Sequence, residues 1–225
     1  MNVGIIIQAR MGSTRLPGKV LRIVGRKPLL DHVLDRLHML RCPAQSIVAT
    51  SDLARDDVIV EHCRKRMTEY FRGSESDVLA RYYHCAEQKR FDHIVRLTAD
   101  NPFTDIAELD RLIDLHLSCG FDYSHSFERM PLGVGAEIFS FEALQRSYLE
   151  GMKENHREHV NEYIQENKYL FKIGELIVGH EKVNPTLRLT VDTMEDYQRA
   201  CKIVESDLGR WISTEEAISL CLRFA

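Results

Sequence analysis

The chain has 225 residues, 44% of them hydrophobic and 28% charged, enough apolar material for one substantial core and none that demands a second domain. A formal net charge of −4 and a pI near 6.2 leave no global basic footprint, which argues against nucleic acid and anionic membrane surfaces as partners. No apolar run approaches membrane-spanning length, the first residues lack signal-peptide features, and the six scattered cysteines form no Cys-x-x-Cys pair; the expectation is a soluble, cytoplasmic protein with reduced thiols.

Along the chain, short β-type runs alternate with longer amphipathic stretches, the pattern of strands joined by crossover helices in a largely parallel α/β sheet. The first strand is Val3 to Gln8, followed by a Gly-rich loop and a helix over Leu30 to Leu40. A strand over Ser46 to Thr50, a helix over Asp56 to Arg66 and a strand over Glu69 to Arg72 come next. Ser76-Asp77 then caps a helix over Asp77 to Lys89, which precedes the strand His93 to Leu97 and the helix Ala107 to Leu117. Short strands are predicted at Tyr123 to His125 and Glu137 to Phe139, and helices at Phe141 to Glu150 and Arg157 to Gln165. The pattern ends with a strand at Leu187 to Val191 and helices over Met194 to Val204 and Thr214 to Arg223. No linker or repeat divides the chain, so a single domain over residues 1–225 is expected. The irregular stretch 128–179, with Pro131, Gly133 and Gly135, is the place for an inserted dimerisation or acceptor arm.

The opening segment carries the strongest chemistry. Ile5 to Ile7 suit a central parallel strand, and the loop Ala9-Arg10-Met11-Gly12-Ser13-Thr14-Arg15-Leu16-Pro17-Gly18-Lys19 falls at its carboxyl end, where open α/β sheets bind ligands. Gly12 and Gly18 let backbone N–H groups approach an anion, Arg10 and Arg15 can fork onto phosphate oxygens, and Lys19 adds a point charge. The loop is no Walker sequence, since Val20 rather than Ser or Thr follows Gly18-Lys19. A triphosphate held there reacts as its Mg²⁺ complex, and two acids stand at strand ends to bind that ion: Asp100 in Thr98-Ala99-Asp100-Asn101-Pro102, and Asp192 after Leu187 to Val191. Either could instead be a turn cap.

The loop resembles the Gly-rich signature of sugar nucleotidyltransferases, and in particular that of the cytidylyltransferases that activate sialic acid and 3-deoxy-manno-octulosonate. Arg96 to Phe103 and Leu187 to Tyr197 look like that family's two metal-aspartate motifs. Gly73 to Tyr82, Pro131 to Ser140 and Arg157 to Val160 resemble blocks of its spore coat polysaccharide biosynthesis protein F branch, so the likeness spans nearly the whole chain. One departure is Asn161, where the family tends to read Thr.

The resemblance implies a single-domain, Rossmann-like nucleotide-diphosphosugar transferase fold, a homodimer, and transfer of CMP from CTP to an acidic nonulosonic or ulosonic sugar. On the matched motifs, Asp100 and Asp192 bind Mg²⁺, and Arg10, Arg15 and Lys19 act on the triphosphate within the nucleotide-binding stretch Ala9, Arg10, Met11, Gly12, Ser13, Arg15 and Lys19. Ser74 and Asp77 are candidates for the ribose or base, against the alternative of helix capping. Glu137, Arg157 and His159 are acceptor candidates, because an Arg fork matches a carboxylate, against a charged helix face or dimer contact. A glycosyltransferase of related fold would need an Asp-x-Asp motif, which no predicted strand end carries. Another sugar nucleotidyltransferase, or a catalytically silent nucleotide-binding protein, would share the loop.

Overall fold

Why Val3–Gln8 (β1) lies at the centre of a sheet follows from its composition: all of its side chains but that of Gln8 are buried, so both faces need covering. The computed structural model describes residues 2–206 and 211–224. After β1 come a small antiparallel hairpin, β2 (Ile23–Val24) and β3 (Lys27–Pro28), then α1 (Leu29–Leu37), β4 (Ala44–Ser51), α2 (Asp57–Lys65) and β5 (Glu69–Gly73). The chain continues through α3 (Val78–Lys89), β6 (His93–Thr98), α4 (Ile106–Cys119), β7 (Tyr123–His125) and β8 (Glu137–Ser140). The remaining elements are α5 (Phe141–Glu150), α6 (Glu154–Glu158), α7 (Glu162–Glu166), β9 (Ile173–Glu175), α8 (Met194–Glu205) and α9 (Thr214–Phe224).

Seven strands form one sheet in the order β5-β4-β1-β6-β8-β7-β9, parallel throughout except for β8. Strands are added outward from β1 to β4 and β5, and the chain then returns to place β6 on the other side of β1. The order reverses between β1 and β6, and a ligand crevice is expected outside the carboxyl ends at that point. Gln8 ends β1 there, level with Ala49 of β4 and Thr98 of β6.

Alternation along β1 sends Ile5 and Ile7 to one core, with Leu30 and Val33 of α1, Leu109 and Ile113 of α4 and Ala200 of α8. Ile6 goes to the opposite core, with Leu79 and Tyr82 of α3 and Leu144 of α5. Each such buried Ile contributes about 1.5–3 kcal/mol. Helix ends are fixed by side chains: Asp77 accepts from the Ala80 N–H, Asp105 from Glu108, Ser140 from Ala143, and Thr193 with Asp196 forms a reciprocal capping box.

Two predicted elements differ. Leu187 to Val191 is no strand; it makes one isolated parallel bridge, Leu132 to Arg188, and its alternation reflects Leu189 and Val191 dropping into the core. Arg157 to Gln165 is not one helix but two short ones, α6 and α7, separated where His159 turns extended with φ −113° and ψ 107°. β9 and the β2–β3 hairpin had no counterpart among the predicted strands. Residues 128–179 contribute β8 and β9 to the sheet and α5, α6 and α7 beside it.

Candidate active site

The loop after β1 is built by its own backbone and by one buried acid. Ala9 extends the ladder, donating its N–H to the Ala49 carbonyl at 3.1 Å. The N–H groups of Ser13 and Gly18 both donate to the Met11 carbonyl, at 2.9 and 3.0 Å, which folds the segment into a closed loop. Gly18 closes it with φ +68°, a conformation that a side chain would strain. Asp56 is fully buried and accepts the Met11 N–H at 2.7 Å, while its other oxygen takes the Ser51 hydroxyl. Leu16 plugs the loop into the core, and the single turn Lys19–Leu21 delivers Lys19 back under the strand ends.

The Lys19 ammonium bridges two carboxylates, Asp100 Oδ2 at 2.5 Å and Asp192 Oδ1 at 2.8 Å. Asp100 stands just past β6, its second oxygen accepting the Thr98 hydroxyl at 2.5 Å. Asp192 has no strand beneath it. Its segment is instead sewn to Asp100's own backbone: the Val191 N–H donates to the Asp100 carbonyl at 2.9 Å, and Leu189 and Thr190 donate to the Leu132 carbonyl. Gly133 allows that approach, since a Cβ there would lie 2.7 Å from the Thr190 nitrogen. Arg15 at 3.1 Å and Arg188 at 2.9 Å also reach Asp192, and Asp196 accepts its N–H at 3.1 Å. Burial pushes the Asp192 carboxyl up, but Lys19 and then Arg15 and Arg188 outweigh it and hold it below the usual carboxylate range.

This cluster opens on a small hollow of about 180 Å³ shared with Arg10 and Ser13. The hollow continues, through Gln8, Arg10, Thr98 and Asp100, into a cleft of about 820 Å³ bordered by Gly12, Asp77, Arg96, Arg157 and His159. On the far wall the Arg157 guanidinium lies 3.6 Å from Asp77 Oδ2 and 5.0 Å over the Tyr148 ring, while His159 is exposed at the end of α6. The floor holds Arg96, paired with the buried Glu137. Burial opposes the Arg96 charge, but Glu137 more than compensates and raises its pKa; burial and the same carboxylate also raise that of Tyr123, whose hydroxyl donates to Glu137 at 2.5 Å.

Of the residues singled out in the sequence, Arg10, Gly12, Ser13, Arg15, Lys19, Asp77, Asp100, Arg157, His159 and Asp192 line this one space. Ala9 and Met11 lie beneath it, their amides held by Ala49 and Asp56. The Ser74 hydroxyl accepts the Asp77 N–H at 3.0 Å at the start of α3, and Glu137 stands behind Arg96. Sequence reasoning passed over Asp56, Arg188 and Thr98. Asp56 carried a signal in its place at a predicted helix start, but its reach back to the loop depends on tertiary structure.

Two carboxylate oxygens within 2.8 Å of one nitrogen are spaced to share a small cation. Among the described residues no cluster of three or more His, Cys, Asp or Glu gathers as a metal site. A cation on Asp100 and Asp192 would therefore complete its shell with phosphate oxygens and water, which suits Mg²⁺.

Comparison with known proteins gives the family. The spore coat polysaccharide biosynthesis protein SpsF of Bacillus subtilis is 39% identical over 225 residues, covering 97% of this chain and 93% of that protein. An 8-amino-3,8-dideoxy-manno-octulosonate cytidylyltransferase of Shewanella sediminis is 30% identical over 154 residues, 68% of this chain and 58% of the relative. The solved structure of a cytidylyltransferase from Leptospira borgpetersenii superposes with a TM-score of 0.92 at 34% identity, covering all of this chain and 95% of that one. The cytidylyltransferase family model matches residues 4–221, and the chain belongs to that family of nucleotidyltransferases.

Proposed function

We propose that the chain transfers CMP from CTP to an acidic sugar of the nonulosonic or ulosonic class, releasing pyrophosphate, in the cytoplasmic supply of an activated sugar for a surface polysaccharide. The observation that carries this reading is the meeting of Lys19, Arg15, Asp100 and Asp192 at the point where strand order reverses, in a hollow that runs on to Arg157 and His159. A relative named for an octulosonate supports the acceptor class, and one named for spore coat polysaccharide biosynthesis supports the destination.

In such a transfer a sugar hydroxyl attacks the α-phosphorus in line as the bond to pyrophosphate breaks, and the protein works by positioning and by offsetting charge. Arg10, Arg15 and Lys19 hold the triphosphate, with Gly12 and Ser13 letting the backbone approach. Asp100 and Asp192 would hold Mg²⁺, which when bound supplies Lewis-acid polarisation of the α-phosphate. Ser74 shapes the turn that presents Asp77 to the nucleoside side of the cleft. Arg157 forks onto the sugar carboxylate with His159 beside it. Glu137 acts through Arg96, holding that guanidinium at the floor. Leu132, Met152 and Ile177 are exposed apolar side chains within 128–179, and the homodimer contact belongs to that segment in this reading; a monomer by light scattering at micromolar concentration would remove it.

The test is pyrophosphate release with Mg²⁺, offering CTP, UTP, GTP and ATP each with a panel of acidic nonulose sugars and neutral sugar phosphates. Release with CTP and an acidic sugar is the expected result. Release with another nucleotide only, or with neutral sugar phosphates only, would overturn the assignment.

A further inference from the structure

We infer that Lys19 is an exchangeable counter-ion: its ammonium and a divalent cation compete for the same two carboxylate oxygens, so that binding of the metal ion is coupled to Lys19 moving onto the nucleotide's phosphates. The inference rests on the reading of Asp100 and Asp192 as the metal-binding pair. Its basis is the bridge itself. The Lys19 nitrogen lies 2.5 Å from Asp100 Oδ2 and 2.8 Å from Asp192 Oδ1, and the side chain is only 10% exposed. An oxygen that close to an ammonium cannot also coordinate a divalent cation without setting two positive charges within a few ångströms of each other in a half-buried site.

The remaining charge around the pair sharpens the competition. Asp192 is already held by Arg15 at 3.1 Å and by Arg188 at 2.9 Å, so a cation arriving alone meets carboxylates that are fully countered. Lys19 cannot simply leave, because an ammonium without an anion is costly in that setting. A destination lies nearby. Arg10, Ser13 and Arg15 border the same 180 Å³ hollow as the Lys19 side chain, and a triphosphate cradled there offers anionic oxygens to which the amine can turn. The triphosphate thus releases the two aspartates as it captures the lysine, and the two ligands strengthen each other's binding reciprocally.

The test uses the full chain and Mn²⁺ alone, with no nucleotide, following free Mn²⁺ by electron paramagnetic resonance. Wild type should bind Mn²⁺ weakly and Lys19→Met should bind it ~10-fold or more tightly, within the range usual for coupled sites. Adding Asp192→Asn to Lys19→Met should abolish that gain, which places it at this pair. Equal affinity in wild type and Lys19→Met, or a gain that survives Asp192→Asn, would overturn the inference. Lys19→Gln makes the same comparison if Lys19→Met does not fold. Should every nucleotide fail to turn over while the Mn²⁺ gain persists, the exchange stands and the cytidylyl-transfer reading falls; turnover of CTP without the gain has the reverse meaning.

Discussion

Lys19 and Lys182 are chemically alike and differently used. Each bridges two carboxylates within 3 Å, and each side chain is 10% exposed: Lys182 meets Asp105 Oδ2 at 2.8 Å and Glu108 Oε1 at 2.9 Å. The carboxylates around Lys182 are committed on every side. Asp105 caps α4 through the Glu108 N–H and accepts the Thr214 hydroxyl from the start of α9, and Glu108 also holds Arg111. Burial lowers the Lys182 pKa, but Asp105 and Glu108 raise it above its ordinary value, as a permanent tie between α4 and α9 requires. The acids around Lys19 instead stand at loop ends and face a hollow shared with Arg10 and Ser13. The same triad is a structural rivet where its acids also tie helix ends together, and in the proposed reading it is binding machinery where they stand at loop ends beside the hollow.

That contrast breaks most visibly at Asp192. Asp192→Asn keeps the shape and removes one charge, and kcat/KM for nucleotidyl transfer should fall ~10³-fold, about 4 kcal/mol of transition-state stabilisation, with little change in melting temperature. Lys182→Met should do the opposite. Leaving Asp105 and Glu108 buried beside an apolar chain should cost about 3 kcal/mol in urea unfolding, with kcat unchanged in the folded protein.

A similar effect comes from His116, far from both lysines. Burial, helped by neighbouring His93, lowers its pKa to about 4, while its ring contacts Ser124 and His93 at 2.8 and 3.1 Å. The unfolded chain takes up this proton near pH 6.5 and the folded chain does so only near pH 4, so stability falls as pH drops across that window. The loss attributable to His116 should be about 3 kcal/mol, seen as a flatter pH dependence of unfolding in His116→Asn. The smallest effect is expected at the acceptor wall. Arg157→Ala should raise KM for the acidic sugar ~10-fold, about 1.4 kcal/mol, without changing KM for CTP; a change in the CTP value instead would put Arg157 on the nucleotide side.

The parts of this molecule legible in the sequence are those in which one stretch of chain determines its own environment. The Ile5 to Ile7 run reports a strand buried on both faces, and the glycines, Arg10, Arg15 and Lys19 report the loop that follows it. Asp100 could be placed at a strand end because β6 carries the β-type apolar residues Ile94, Val95 and Leu97, all buried. The reasoning failed beneath Asp192. Leu189 and Val191 alternate with polar neighbours because the core takes them, while their hydrogen bonds go to Leu132 and Asp100, contacts that no local pattern announces. β9 was missed for a related reason: Ile173-Gly174-Glu175 is too short for periodicity, and Gly174 is accommodated under the Phe121 ring, where a Cβ would come within 2.4 Å. Thr98 and Arg188 lie inside the two aspartate motifs, but their contacts with Asp100 and Asp192, like the reach of Asp56 to Met11, were likewise beyond a linear reading.

The most direct measurement sets Lys19→Met beside Lys182→Met and records, for each, pyrophosphate release with CTP and the melting temperature. If the hollow at the head of β1 is where the nucleotide reacts, Lys19→Met loses turnover and stays folded, while Lys182→Met melts early and retains turnover below its transition. Full turnover in Lys19→Met, or the same loss of turnover in both folded variants, would contradict the account.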